Sequence, residues 1–194
     1  MSLDFDSARL PNSFLKPEHH EWRAQLRRFF DREVIPYAAQ WDEDGRIPDE
    51  LWPKSAAVGI LGLGYPEEFG GVTEGIDIWY SIILNEEMAR IAVGGVSATL
   101  LVHGIALPPV INFGSEAIKQ MVAPPVLAGT KRISLGITEP GAGSDVAHLT
   151  TTARLDGDHY VVNGSKTYIT GGMNANWFTT AVRTGGEGAG GVSA

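Results

Sequence analysis

The sequence predicts an α+β chain, with an all-helical bundle over residues 1–130 followed, from residue 131, by the start of an antiparallel β-barrel-like domain. Three observations support this. As far as Gly129 the apolar residues recur at three- and four-residue steps, the spacing of one helix face. After Lys131 that period gives way to short β-branched and aromatic runs. The order is helices then strands, without the strand–helix alternation that builds a parallel sheet.

From Pro17 to Trp41, the residues Trp22, Leu26, Phe29, Phe30, Val34, Ala38 and Trp41 line one helix face, and Pro36 is placed to kink or restart it. "IPDELWPKSAAVGIL" predicts a second, shorter helix, stopped by Gly59, Gly62, Gly64 and Pro66. "GYPEEFGGVTEG" holds too many turn formers to be regular. "DIWYSIILNEEMARIA" is apolar around most of its circumference, which predicts a buried helix. The apolar stretch Val96 to Phe113 is expected to break at Pro108-Pro109. Ser115 is expected to cap a helix through Met121 that gives way near Pro124-Pro125.

In the second part, "RISLGIT" predicts a strand, and Asp156-Gly157-Asp158 reads as a hairpin turn into the alternating run His159 to Asn163. "KTYIT" and "WFTTAVRT" read as further short strands. The ending "RTGGEGAGGVSA" is a Gly-rich turn followed by Val192-Ser193-Ala194, the opening of a strand with no partner supplied. The expectation is therefore a fragment.

Fifteen Lys plus Arg against twenty-three Asp plus Glu give a net charge of -8, which argues against a nucleic-acid partner. With no cysteine, the chain can offer no disulfide, thiolate nucleophile or Cys-ligated metal. The start, "MSLDFDSARLPNSF", has no basic segment leading into an apolar run, and no stretch is long and apolar enough to span a membrane. These features predict a soluble, cytoplasmic protein with no membrane partner.

The stretch "ISLGITEPGAGSDVAHLTT" carries the chemistry, because Gly141-Ala142-Gly143-Ser144-Asp145 has the small residues of a phosphate cradle. A dinucleotide fingerprint needs glycines at its first, third and sixth places and a helix at the last. Here the sixth place is Val146 and a hairpin follows, so that reading fails. Alone, the loop would be a tight turn between strands. Yet a strand delivers Ile137-Thr138 into the turn, and "NGSKTYITGG" supplies the aromatic Tyr168 and a second hydroxyl at Thr170. Two strand-end threonines, an aromatic plane and a nest of loop N–H groups suit a flat ring system joined to a pyrophosphate. A flavin has that shape.

The string "LGITEPGAGSDVAHLTTTARLDGDHYVVNGSKTYITGG" resembles the middle-domain motif of acyl-CoA dehydrogenases, and the preceding helices resemble that family's N-terminal helical domain. The resemblance implies a truncated acyl-CoA dehydrogenase-like fold, with the middle β domain incomplete at 131–194 and the C-terminal helical domain absent. It further implies an FAD enzyme of fatty-acid β-oxidation that converts an acyl-CoA thioester to the trans-2-enoyl-CoA. A carboxylate takes the α-proton, the β-hydride passes to flavin N5, and the electrons go on to an electron-transfer flavoprotein. By the same resemblance, Leu135, Ile137, Thr138, Gly143 and Ser144 form the first FAD contact, and Tyr168, Ile169 and Thr170 the second. Ser144 also matches a position that touches the acyl-CoA. Many relatives carry Trp where this chain has Tyr168, which retains the aromatic face. The family's catalytic base lies in the C-terminal domain, so no catalytic residue is expected in this chain, and the full-length protein is expected to be a homo-oligomer, tetramer or dimer. An acyl-CoA oxidase or flavin monooxygenase of the same fold, or a non-catalytic binding module, are the alternatives.

Glu139, a candidate substitute base, stands at the head of the turn, where a carboxylate more plausibly accepts loop N–H bonds, and Asp145 reads as a turn carboxylate too. Adjacent histidines point about a hundred degrees apart on a helix, so His19-His20 predict no metal site and are expected to be solvated. His103 is expected in the core. So are Trp22, Trp41, Trp52 and Trp79. Lys166 is expected to be a solvated strand lysine, with a CoA phosphate as the functional alternative.

Overall fold

Pro36 restarts the first helix instead of merely bending it: α1 (Pro17–Glu33) ends before it and α2 (Ala38–Glu43) begins after it. The computed structural model describes residues 11–194, so the opening "MSLDFDSARL", part of the start that shows no targeting pattern, lies outside the described residues. Pro17 sits at the first helical position of α1, where its missing N–H costs nothing. Trp22, Leu26, Phe29 and Phe30 then fall on the buried face. α3 (Leu51–Ala57) follows, and α4 (Ile78–Ala89) starts at Asp77, whose carboxylate accepts the Trp79 N–H at 3.0 Å. α1 packs along α4, and α2 lies against α5 (Gly94–Leu101). The loop expected between α3 and α4 is irregular apart from a 3-10 turn at Glu67–Phe69 and a single bridge between Leu63 and Val72.

The chain divides into two compact units. One runs to Leu101 and includes Pro124–Thr130; the other comprises Val102–Ala123 and Lys131–Ala194. In the first, Leu26, Phe30, Val34, Ile83 and Leu100 are fully buried. α4 buries one face, Ile83, Leu84, Glu87 and Met88, while Ile78 is 67 % exposed, so the expected buried helix is buried on that face only. Its buried face is not uniformly apolar, because Glu87 accepts hydrogen bonds from Arg23, Arg27 and Arg90 at 3.0–3.2 Å. His19 is also buried, not solvated: its Nδ1 accepts the Lys16 N–H and its Nε2 lies 3.0 Å from Asp77 Oδ1. His20 is exposed as expected. Trp22 and Trp52 are core residues, whereas Trp41 and Trp79 are half-buried.

The apolar run breaks at Pro108-Pro109 as expected, with α6 (His103–Ala106) ending just before the pair and α7 (Pro108–Phe113) opening on it, and it breaks once more at Val102, after α5. The second proline pair departs from expectation. α8 (Glu116–Leu127) begins at Ser115, whose hydroxyl accepts the Ile118 N–H at 3.4 Å, and continues through Pro124 and Pro125. Two amide hydrogens are lost there, but the proline carbonyls are used by the Ala128 and Thr130 N–H groups at 2.9 and 3.0 Å. No single helix among the described residues is long and apolar enough to cross a membrane.

In the second unit, β1 (Ile133–Gly136) pairs with β4 (Trp177–Thr180), and a four-stranded sheet runs in the order β3-β2-β5-β6. The hairpin of β2 (Thr152–Asp156) and β3 (His159–Asn163) turns through Gly157 at φ +65°, as its turn residues predict. The antiparallel expectation needs correction, because β1–β4 and β2–β5 (Val182–Arg183) are parallel. A long connection separates the partners in each case, which lets the chain re-enter from the same end. β6 (Val192–Ser193) pairs antiparallel with β5, so the terminal run does have a strand partner. Arg183 makes this possible by donating to the carbonyls of Gly186 and Gly188 and curling the Gly-rich loop back. "KTYIT" forms no strand. Tyr168 adopts φ +55° and Gly164 φ +154°, conformations a ladder cannot hold, and the segment crosses β1 as an irregular strap.

Within this unit α6 packs on β1, and the buried Thr179 hydroxyl donates to the Ala106 carbonyl at 2.6 Å. That bond anchors β4, and through it β1, the strand that leads into the glycine loop.

Candidate functional site

Leu135, in β1, lies in register with Thr179 and is half-buried. Ile137 and Thr138 follow the strand end, and the chain then closes a four-residue turn in which Glu139 N–H donates to Ala142 O at 2.7 Å and Ala142 N–H returns to Glu139 O at 3.2 Å. A Cβ on Gly141 would meet nothing within 4 Å, and one on Gly143 would meet only Thr138 Cγ2, at 4.0 Å. The loop is therefore open on its outer side. Gly143 and Ser144 are exposed.

The strap comes to this loop from 27 residues downstream. Thr167 N–H donates to Thr138 O at 2.8 Å, Lys166 Nζ donates to Ile137 O at 3.0 Å, and Ser134 Oγ donates to Thr170 O at 2.8 Å. The stretch from Ser134 to Thr138 and the strap from Lys166 to Thr170, which carry the two candidate segments, are thus laced together. Tyr168 is 92 % exposed, Thr170 is exposed, and Ile169 is half-buried, with its side chain against Gly172. Gly172 would have to carry a Cβ only 3.2 Å from Ile169, so a larger residue there would push the strap.

A flavin can be tested against this surface. The hydroxyls of Thr138 and Thr170 make no hydrogen bond to any other described residue. The Tyr168 ring stacks on no other described ring. An unused hydroxyl at the open glycine loop, a second on the strap and an uncovered aromatic face match a flat, polar-edged ring with an anionic tail. The residues fit the group.

Beneath the loop lies a polar knot that residue patterns did not disclose. The Glu139 carboxylate, in a residue only 5 % exposed, accepts the Thr150 N–H at 2.6 Å, the Thr150 hydroxyl at 2.7 Å, the Thr151 N–H at 2.9 Å and the Lys166 ammonium at 2.8 Å. Burial by itself would raise this carboxyl, but hydrogen bonds from Lys166, Thr151 and Thr150 outweigh it and hold the group well below the usual carboxylate range. Glu139 therefore has the structural role expected of it. Lys166 is neither solvated nor in a strand, and its ammonium is already engaged. Nothing in the sequence couples positions 139 and 166; the only hint was a carboxylate at a strand end where loop N–H groups converge.

Asp145 Oδ2 lies 2.6 Å from His148 Nδ1, both side chains exposed, with the His148 N–H returning to the Asp145 carbonyl, so this carboxylate shapes a turn. His103 is buried on α6. Among the described residues no three His, Asp or Glu side chains are grouped to hold a metal ion.

Comparison with known proteins gives this surface a context. The acyl-CoA dehydrogenase N-terminal domain matches residues 16–130, and the acyl-CoA dehydrogenase middle domain matches residues 134–194. Acyl-CoA dehydrogenase apdG of Emericella nidulans is 34% identical over 95% of this chain, which covers 46% of that protein. The crystal structure of a probable acyl CoA dehydrogenase from Mycobacterium abscessus superposes with a TM-score of 0.86 at 47% identity, over 93% of this chain and 48% of the other. A glutaryl-CoA dehydrogenase from Mycobacterium smegmatis, solved in complex with FADH2, gives 0.81 at 28% identity, over 92% and 45%. The chain spans about half the length of these relatives. Since helical and strand-rich segments both match, in order and together over most of its length, the chain belongs to the acyl-CoA dehydrogenase family.

Proposed function

We propose that the protein to which this chain belongs is an FAD-dependent acyl-CoA dehydrogenase, and that this chain supplies one wall of its flavin site. The observation that supports the reading most directly is the lacing of the strap onto β1 and the loop head, which sets Thr138 at the mouth of the open turn and Thr170 beside Ser134, both hydroxyls without a partner among the described residues. The relative solved with FADH2 supports the choice of flavin. When bound, the flavin supplies a hydride acceptor for the β-carbon of an acyl-CoA whose α-proton is taken by a carboxylate, giving the trans-2-enoyl-CoA.

The chain's own part is to bind and orient. The Thr138 and Thr170 hydroxyls offer hydrogen bonds to the polar edges of the ring, where negative charge grows on reduction. The Gly143 and Ser144 amides receive the pyrophosphate, while Leu135, Ile137, Tyr168 and Ile169 exclude water from the ring. Ser144 also meets the acyl-CoA. Glu139 is no base, because both carboxylate oxygens are committed to donors. The base is assigned instead to the C-terminal helical domain of the family's architecture. Electrons leave to an electron-transfer flavoprotein, and the whole protein assembles as a homo-oligomer in the cytoplasm.

Anaerobic addition of acyl-CoA to the full-length flavoprotein is the test. Bleaching of the flavin, followed by fast reoxidation with electron-transfer flavoprotein and slow reoxidation in air, is the expected result. Fast reoxidation in air would assign an oxidase, and no bleaching with any acyl-CoA would overturn the reading.

A further inference from the structure

The charge of Lys166 is withdrawn from solvent. Its side chain is 12 % exposed, and its stem passes over β1, where Cγ would lie 3.7 Å from a Cβ on Gly136. The ammonium spends its hydrogen bonds inward, on Ile137 O at 3.0 Å and Glu139 Oε1 at 2.8 Å. Glu139 in turn holds Thr150 and Thr151, the residues that lead into β2. One ion pair thus joins three separate pieces of backbone: the strand end at 137–139, the entry to β2 at 150–151, and the strap at 166.

We propose that Lys166 is a positioning residue of the flavin site, which clamps the strap bearing Tyr168 and Thr170 to the loop that starts at Ile137 and so fixes how the Thr138 and Thr170 hydroxyls are presented. The proposal rests on the flavin reading for what is positioned, though the clamp itself is a property of the chain. The other links between loop and strap, Thr167 N–H to Thr138 O and Ser134 Oγ to Thr170 O, are neutral single hydrogen bonds. An ammonium between a carbonyl and a buried carboxylate is the stronger constraint. Without it, Glu139 keeps its three hydrogen bonds from Thr150 and Thr151 but loses its counter-charge, and water or a shifted strap must compensate. The β1–β4 ladder makes no use of Lys166, so the change is local to loop and strap. Lys166 touches no reacting atom in this scheme. Its effect is on where the hydroxyls stand.

The test uses the full-length protein, wild type, Lys166→Met and Lys166→Arg, with amide hydrogen exchange on the apoprotein and FAD titration followed by flavin fluorescence. Lys166→Met is expected to speed exchange at Ala142, Thr150, Thr151 and Thr167 at least tenfold, to leave the β1–β4 amides and those of α1 and α4 unchanged, and to raise the Kd for FAD at least tenfold. Lys166→Arg, which keeps the charge, is expected to recover most of both. Unchanged exchange at those four amides would overturn the proposal. So would faster exchange spread over the β1–β4 ladder, or an unfolded strand unit, since Lys166 would then be a general stabiliser. If wild-type protein binds no FAD, the flavin reading fails, and exchange at the four amides decides the clamp on its own.

Discussion

Ser134 Oγ donates to the carbonyl oxygen of Thr170 at 2.8 Å and joins residues 36 positions apart. Ser134 is 1 % exposed inside a strand otherwise made of Ile, Leu and Gly, so its hydroxyl has a task there that an alanine could not perform. Ser134→Ala is expected to lower the stability of the strand unit by about 1 kcal/mol, the net worth of one such bond. It should also weaken FAD binding, since the Thr170 end of the strap is released. Urea unfolding followed by a strand-unit probe checks the first part, and an unchanged midpoint would show that the hydroxyl contributes nothing.

Gly164 of the "NGSK" segment has φ +154°, and a Cβ there would come within 2.6 Å of Thr151 Cα. Backbone conformation and space both demand glycine at this position. Gly164→Ala is expected to cost about 3 kcal/mol, combining strained backbone with an overlap that neither β-strand entry nor strap can relieve. Chemical denaturation measures this, and a loss below about 1 kcal/mol would mean that the strap shifts freely.

Much of the fold was legible because helix faces and hairpin turns are written in local spacing. Trp22, Leu26 and Phe30 announce α1, and Asp156-Gly157-Asp158 announces the β2–β3 turn. The misreadings in the strand unit have a common physical origin, which is that partners distant in sequence override local preference. β1 pairs parallel with β4 although the local pattern suggested antiparallel neighbours, and "KTYIT" has strand composition yet is held in a left-handed turn at Tyr168. The same limit applied at the candidate site. The two segments were visible as small-residue and aromatic motifs, but the Glu139–Lys166 pair between them was not, because no periodic rule links a turn carboxylate to a lysine on another segment.

Thr170 offers a way to separate folding from ligand binding. The residue is exposed and its hydroxyl has no partner among the described residues, so Thr170→Val keeps the β-branched shape at little structural cost. Stability should change by no more than about 0.5 kcal/mol. If the hydroxyl meets the flavin, the same substitution should cost about 1–3 kcal/mol in FAD binding or in the rate of substrate-dependent bleaching. Titration and stopped-flow bleaching beside a denaturation curve give both numbers, and wild-type flavin behaviour in this variant would remove Thr170 from the site.

Glu139 makes the strand unit sensitive to acid, and the sign follows from the direction of its shift. In the folded chain its carboxyl titrates well below the ordinary value; burial pushes it upward, but Lys166, Thr151 and Thr150 prevail. A group depressed in this way contributes its full stability above the unfolded-state pKa of about 4.3, and that contribution is lost as pH falls further, because the unfolded chain takes up the proton first. Wild type should therefore lose stability by about 1.4 kcal/mol per pH unit from this residue once pH drops below about 4. Glu139→Gln cannot titrate. It should be about 3 kcal/mol less stable at neutral pH, where Lys166 is left without its carboxylate, and the gap from wild type should narrow steadily in acid. Unfolding free energies of both proteins measured from neutral pH down to about pH 3 give the difference directly, with contributions from exposed carboxylates cancelling between them. A gap that widens on acidification would mean that burial sets the titration of Glu139, and that its bonds to Thr150, Thr151 and Lys166 are too weak to hold the loop.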